Sequence, residues 1–125
     1  MNRIEYQVTD QFEKDLRRLL KKFRSLNEDL ETAKKAAIEI YHIHKLDNRS
    51  VFPISGMCTG EIQVCKVKKF ACKALKGKGV HSGIRVIYAF NKRTSRVTFI
   101  EIYYKGEQEN EDTDRIRAFL KGSKI

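Results

Sequence analysis

The chain has 125 residues, 41% of them hydrophobic and 34% charged, with a formal net charge of +10. That length suits one domain, spanning 1–125, with one core, and the apolar content argues against disorder. No apolar run reaches the roughly 18 residues of a membrane span, and the opening Met1-Asn2-Arg3-Ile4-Glu5-Tyr6 lacks the apolar core of a secretory signal. The expectation is a cytoplasmic protein with no membrane partner.

Charge is unevenly placed. Residues 1–60 hold 11 Lys+Arg against 9 Asp+Glu, residues 61–106 hold 11 against 2, and residues 107–125 hold 4 against 5. A single-sign block inside folded structure fits a polyanion site, either nucleic acid or an acidic protein. The three cysteines Cys58, Cys65 and Cys72 form no C-x-x-C, and His42, His44 and His81 have no zinc-ligand spacing. The expectation is buried thiols, surface imidazoles, no metal and no cofactor.

In chain order, Arg3–Val8 alternates apolar and polar residues and predicts a strand. Asp10, with Glu13 three residues on, suits a capping box, and Phe12, Leu16, Leu19, Leu20 and Phe23 recur at helical spacing over about 11–25. The basic face of that helix reads as solvated surface. Asn27 suits the cap of a second helix ending near Lys45, so the two form a helical hairpin. Residues 47–60, with Pro53, Gly56 and Gly60, read as a loop. Strands are predicted over Glu61–Phe70, Gly83–Asn91 and Arg96–Tyr104, the last two joined by a hairpin turn. The link Lys73–Ser82 is rich in Lys and Gly, and a short helix is predicted over about 111–121. Acids in its first turn and bases later suit the helix dipole.

This order predicts an α+β domain, with an antiparallel sheet packed on one face by the N-terminal helical hairpin and a short C-terminal helix. The other face is expected to stand open and to carry the function. Strand alternation places Lys66 and Lys68 on one side, opposite Cys65 and Val67. Arg85 sits among apolar neighbours and needs an anion or solvent, and Glu101, Tyr103 and Lys105 share a face opposite Ile100 and Ile102. Cleaving RNA by transesterification requires a base for the 2′-hydroxyl, charge for the pentavalent phosphate and an acid for the leaving 5′-oxygen. Lysines crowded by cations, an arginine fork, a tyrosine and a glutamate can supply these. Lys69, Lys73, Lys76, Lys78, His81 and Tyr104 are candidate RNA contacts. The competing reading is that Lys and Glu alternate on an exposed strand simply to form cross-strand pairs. It leaves unexplained a segment with so few acids. No phosphate-loop motif accompanies Gly77-Lys78-Gly79.

Four segments, in order, resemble the RelE/ParE superfamily of toxins from type II toxin–antitoxin systems: Tyr6–Leu16, Gly83-Ile-Arg-Val-Ile-Tyr-Ala-Phe, Phe99-Ile-Glu-Ile-Tyr-Tyr-Lys-Gly and Asp114-Arg-Ile-Arg-Ala-Phe-Leu. The resemblance is to the RelE-like messenger-RNA-cleaving branch. It implies a RelE-like fold and metal-independent cleavage on the ribosome that leaves a 2′,3′-cyclic phosphate. It also implies an acidic antitoxin partner, with the chain a monomer when free and hetero-oligomeric when neutralised. By position, Lys66 and Lys68 look like RelE's paired strand lysines and Arg85 like its phosphate-binding arginine. The family's second arginine is replaced by Lys105-Gly106, and no tyrosine follows Tyr104 to match its C-terminal one. A gyrase inhibitor of the ParE kind, without nuclease activity, and an inactive RNA-binding member are the alternatives.

Overall fold

The computed structural model describes residues 3–122. Strand β1 (Glu5–Val8) leads into helix α1 (Asp10–Leu20). The cap is Thr9 rather than Asp10: its Oγ1 accepts from Phe12 N–H at 3.1 Å. Helix α2 (Leu26–Ala33) continues through a π-helical turn (Lys34–Ile38) into α3 (Glu39–His42). Within that turn the carbonyl of Ala36 accepts from Asn48 Nδ2 at 2.9 Å, an outside donor of the kind that accompanies a break in the helical ladder.

The segment predicted as loop contains a short strand, β2 (Val51–Pro53). Then follow β3 (Ile62–Val67), β4 (Ile84–Asn91), β5 (Arg96–Tyr104) and helix α4 (Thr113–Gly122). The sheet runs β1-β5-β4-β3-β2. It is mixed rather than purely antiparallel, because β1 lies parallel to β5 at one edge. A parallel neighbour requires a crossover, and the helical hairpin together with β2–β4 supplies it.

The helical hairpin covers one face as expected. Phe12, Leu19, Leu26, Leu30 and Ile38 pack there with Val67, Val86, Tyr88, Phe99 and Ile102. The opposite face is not open along its length. Ile62, Val64, Ile87, Ala89, Ile100 and Tyr103 form a second cluster with Met57 and with Ile116 of α4. The C-terminal helix and the loop after β2 thus close half of the face expected to be bare.

A β-bulge explains a second departure. Ile87 pairs with Glu101 but Tyr88 with Phe99, so Ile100 has no partner on β4. Ile100 therefore joins Tyr103 in the second cluster, while Ile102 faces the hairpin. Strict alternation had put Ile100 and Ile102 together, and one extra residue breaks that parity.

Candidate active site

Lys66 and Lys68 project from the end of β3 on the face away from the hairpin, while Cys65 and Val67 are buried in the hairpin-side core. On β4 the register places Arg85 opposite Tyr103 and Ile87 opposite Lys66. Phe52 on β2 lies opposite Lys66 on the other side. One end of this face therefore gathers Phe52, Lys66, Lys68, Arg85 and Tyr103. A cavity of about 350 Å³ is lined there by Phe52, Pro53, Ile54, Ser55, Lys66, Lys68 and Glu111. A larger cleft of about 580 Å³ lies towards the Asn91–Ser95 turn and contains none of the expected residues.

Arg85 meets no carboxylate within ion-pair distance among the described residues. Its Nη1 donates to the carbonyl of Lys68 at 3.0 Å. That bond aims the guanidinium along the strand end and leaves its other donors for a ligand. Arg85 makes no ion pair with Glu101 of the adjacent strand β5. Lys68 is exposed, with Nζ 4.9 Å from the centroid of the Phe52 ring.

Glu101 does not stand on an open face. It is 2% exposed, and its carboxylate accepts from Asp112 N–H at 2.9 Å and Gln108 Nε2 at 2.7 Å. It pins the segment entering α4 onto the sheet. The carboxylate that reaches the cations is Glu111, whose Oε1 lies 2.5 Å from Lys66 Nζ, an ion pair whose angles are not those of a hydrogen bond. Burial alone would raise the Glu111 carboxyl. The Lys66 ammonium, with the residue's own N–H and the Tyr103 hydroxyl, outweighs it and holds the group below the usual carboxylate range. Tyr103 is buried, and burial, with Glu111 and Glu101 adding to it, pushes its phenol up to about 12. Tyr103 is thus a neutral hydrogen-bond donor at physiological pH. Lys66 faces a carboxylate, so it is not crowded by cations alone as expected.

The other expected contacts scatter. Lys105 is exposed just past β5, with its amide on Gly83 O at 2.8 Å. Tyr104 lies on the hairpin side, edge-on to Phe23 with centroids 4.9 Å apart, so it does not share the face of Lys66. Lys69, Lys73, Lys76, Lys78 and His81 are exposed. Their link folds against α2, where Asp29 accepts from Lys73 N–H and Ser25 Oγ accepts from Ala74 N–H. Lys73 itself pairs with Glu28 at 3.1 Å. His42, expected at the surface, is buried: it stacks on Phe90 with centroids 4.0 Å apart, and its Nε2 lies 2.8 Å from Tyr88 OH. Cys65 and Cys72 are buried and Cys58 is exposed.

Sequence reasoning missed Glu111 and Phe52. The signal for Glu111 was the acidic run Glu107–Asp114, read only as a helix-dipole feature. Its members instead meet cations: Glu107 meets Arg18 and Lys22 and Glu111 meets Lys66 across the fold, while Asp112 approaches Arg115 three residues on. Even so, of the 11 cations in residues 61–106, only Lys66, Lys73 and Arg96 have an acidic partner among the described residues. Cross-strand pairing therefore does not account for the basic block.

No family model and no curated protein matches the chain. Among solved structures it is similar to the archaeal RelE–RelB complex from Pyrococcus horikoshii OT3. The identity is 19% and the TM-score 0.50, over 85% of this chain and 98% of that one. A conserved hypothetical protein, HP0892 from Helicobacter pylori, aligns at 15% identity and a TM-score of 0.43, over 84% of this chain and 98% of that one. The likeness to the archaeal chain is one of fold: the α+β architecture is RelE-like. No described helix is long and apolar enough to cross a membrane.

Proposed function

We propose that the protein is the toxin of a toxin–antitoxin pair, an endoribonuclease that cleaves messenger RNA without a metal. The observation that carries this is Arg85, a strand arginine without an acidic partner among the described residues that projects beside Lys66, Lys68 and Tyr103. An unpaired guanidinium among cations is suited to a phosphodiester, which it can hold in a planar fork. The RelE-like fold and the strand motifs support the same reading.

The chemistry divides among the side chains at that end of the sheet. Arg85 and Lys68 neutralise the charge that builds on the pentavalent phosphorus. Glu111, ionised through the neutral range, accepts the proton of the 2′-hydroxyl as its oxygen attacks phosphorus. Glu101, consumed by Gln108 and Asp112, cannot take that role. The bond from phosphorus to the 5′-oxygen breaks, and the leaving oxygen takes a proton from Lys68. The products are a 2′,3′-cyclic phosphate and a 5′-hydroxyl. Tyr103, kept neutral beside Glu111, is placed to donate to that carboxylate. The lysines of the Lys73–Ser82 link, with Lys105, supply the longer-range attraction that draws RNA, and the ribosome that presents it, to this end of the molecule. In the neutralised state an acidic antitoxin segment covers the same charge, and the free toxin is monomeric.

Induced expression followed by mapping of messenger-RNA 5′ ends tests the reading. New 5′-hydroxyl ends soon after induction are expected in cells making the native chain and absent with Arg85→Ala. Growth arrest with intact messenger RNA would overturn it and point to a protein target.

A further inference from the structure

Phe52 is a large apolar side chain left 38% exposed, although a buried core is available on both faces of the sheet. It stands on the edge strand β2, paired in register with Lys66. The ammonium of Lys68 lies over its ring at 4.9 Å. The ring and both lysines line the same cavity of about 350 Å³, a volume suited to a single nucleotide rather than to a duplex. An exposed aromatic flanked by cations is how proteins hold unpaired bases, the ring stacking on the base while the cations take the adjoining phosphate. The neighbouring residue strengthens the case. Pro53 has no N–H, so this stretch of edge is poorly suited to extending the sheet with another chain.

We infer that Phe52 is the stacking platform for one unpaired RNA base next to the scissile phosphate, and that it sets the register of cleavage. The inference rests on the ribonuclease reading above and names the substrate at that site: a single-stranded segment, with one base laid on Phe52 and its phosphate carried by Lys68. Lys68 Nζ lies 4.9 Å from the centroid of the Phe52 ring, so a base laid on that ring brings its phosphate beside the amine that protonates the leaving oxygen.

The test uses the full chain and a short unstructured oligoribonucleotide, with every 2′-oxygen methylated to prevent cleavage and 2-aminopurine placed at successive positions. Stacking on Phe52 quenches the fluorescence at one position only. Phe52→Leu abolishes that quench and weakens binding about tenfold, in the range of a single base–aromatic stack. Phe52→Trp retains both. The salt dependence of binding is the same in Phe52→Leu as in the native chain, whereas Lys68→Ala lowers it. Phe52→Thr, a strand-forming residue, replaces the leucine variant should that one aggregate. Equal quench and affinity in the native and Phe52→Leu proteins would overturn the inference while leaving the ribonuclease reading intact. Failure of the native chain to bind the oligonucleotide at low salt would overturn both.

Discussion

Glu111 reaches across the fold to Lys66, carboxylate oxygen to ammonium at 2.5 Å, with only about 15% of either side chain exposed (14% for Lys66, 15% for Glu111). The pair joins β3, through Lys66, to the segment that Glu101 pins down. It places a negative charge inside the most basic part of the chain, and so tunes how strongly this face attracts an anion.

Binding and cleavage therefore separate when that charge is removed. Glu111→Gln frees Lys66 for phosphate and is expected to tighten binding of an uncleavable oligoribonucleotide several-fold, most visibly at low salt. The same variant lacks the proposed proton acceptor, so single-turnover cleavage is expected to fall by about a hundredfold. Equal losses in binding and cleavage would assign the pair to holding the fold instead.

Arg85 is fastened only to backbone carbonyls, those of Lys68 and Ile84. Arg85→Ala is expected to leave the urea midpoint nearly unchanged, within about 0.5 kcal/mol for a site so placed, while cleavage drops by a factor on the order of 100–1000. Arg85→Lys recovers only part of the rate, because an ammonium lacks the planar fork. A stable and fully active Arg85→Ala protein would remove the basis for placing catalysis here.

The strand assignments, the helical hairpin and the position of Lys66, Lys68 and Arg85 on one face were legible from periodicity, because alternation is a local property. Ile100 was misplaced because the bulge shifts parity within β5, and Glu101 because the chain entering α4 returns over its part of the sheet. Neither event has a signature at the residue it affects. Glu111 was invisible for a related reason. Its partner, Lys66, is 45 residues away in sequence, and only the packing of α4 brings them together. His42 carried the opposite difficulty, since a histidine near a helix end gives no sign that an aromatic wall will enclose it.

Asp15 of α1 and Arg115 of α4 meet beyond the end of β1, where β5 has lost its neighbour. Arg115 Nη1 donates to Asp15 Oδ2 at 2.7 Å and to Ile100 O at 2.9 Å, while Asp15 Oδ2 accepts from Ile102 N–H at 3.3 Å. The pair thus satisfies backbone groups left bare beside the bulge and clamps helices from both sides of the sheet. Arg115→Ala leaves the mostly buried Asp15 carboxylate without its cation and the Ile100 carbonyl with only the long bond from Thr9 Oγ1, at an expected cost of about 2–3 kcal/mol in urea unfolding. Asp15→Asn keeps an acceptor for Ile102 and costs less. If both changes left the unfolding midpoint unmoved, the clamp would hold nothing.

The pH dependence of stability gives the last prediction. Burial, with Lys45 and Lys92 adding to it, lowers the pKa of His42 to about 4. The enclosed imidazole is neutral and can accept from Tyr88, whose phenol burial keeps protonated. In the unfolded chain the same histidine titrates near 6.5, at the ordinary value. As pH falls below about 6.5 the unfolded state takes up a proton that the folded state refuses until about pH 4. The stabilisation is complete above the unfolded value, declines through that window and is gone below it. The full span amounts to about 3 kcal/mol. His42→Gln removes the titrating group, so its unfolding free energy should fall less steeply between pH 6.5 and 5, where carboxylates contribute little. Only the slope decides this, because losing the stack on Phe90 lowers the variant's stability at every pH. Parallel slopes for the two proteins across that window would mean that His42 takes up its proton in the folded state as readily as in the unfolded one.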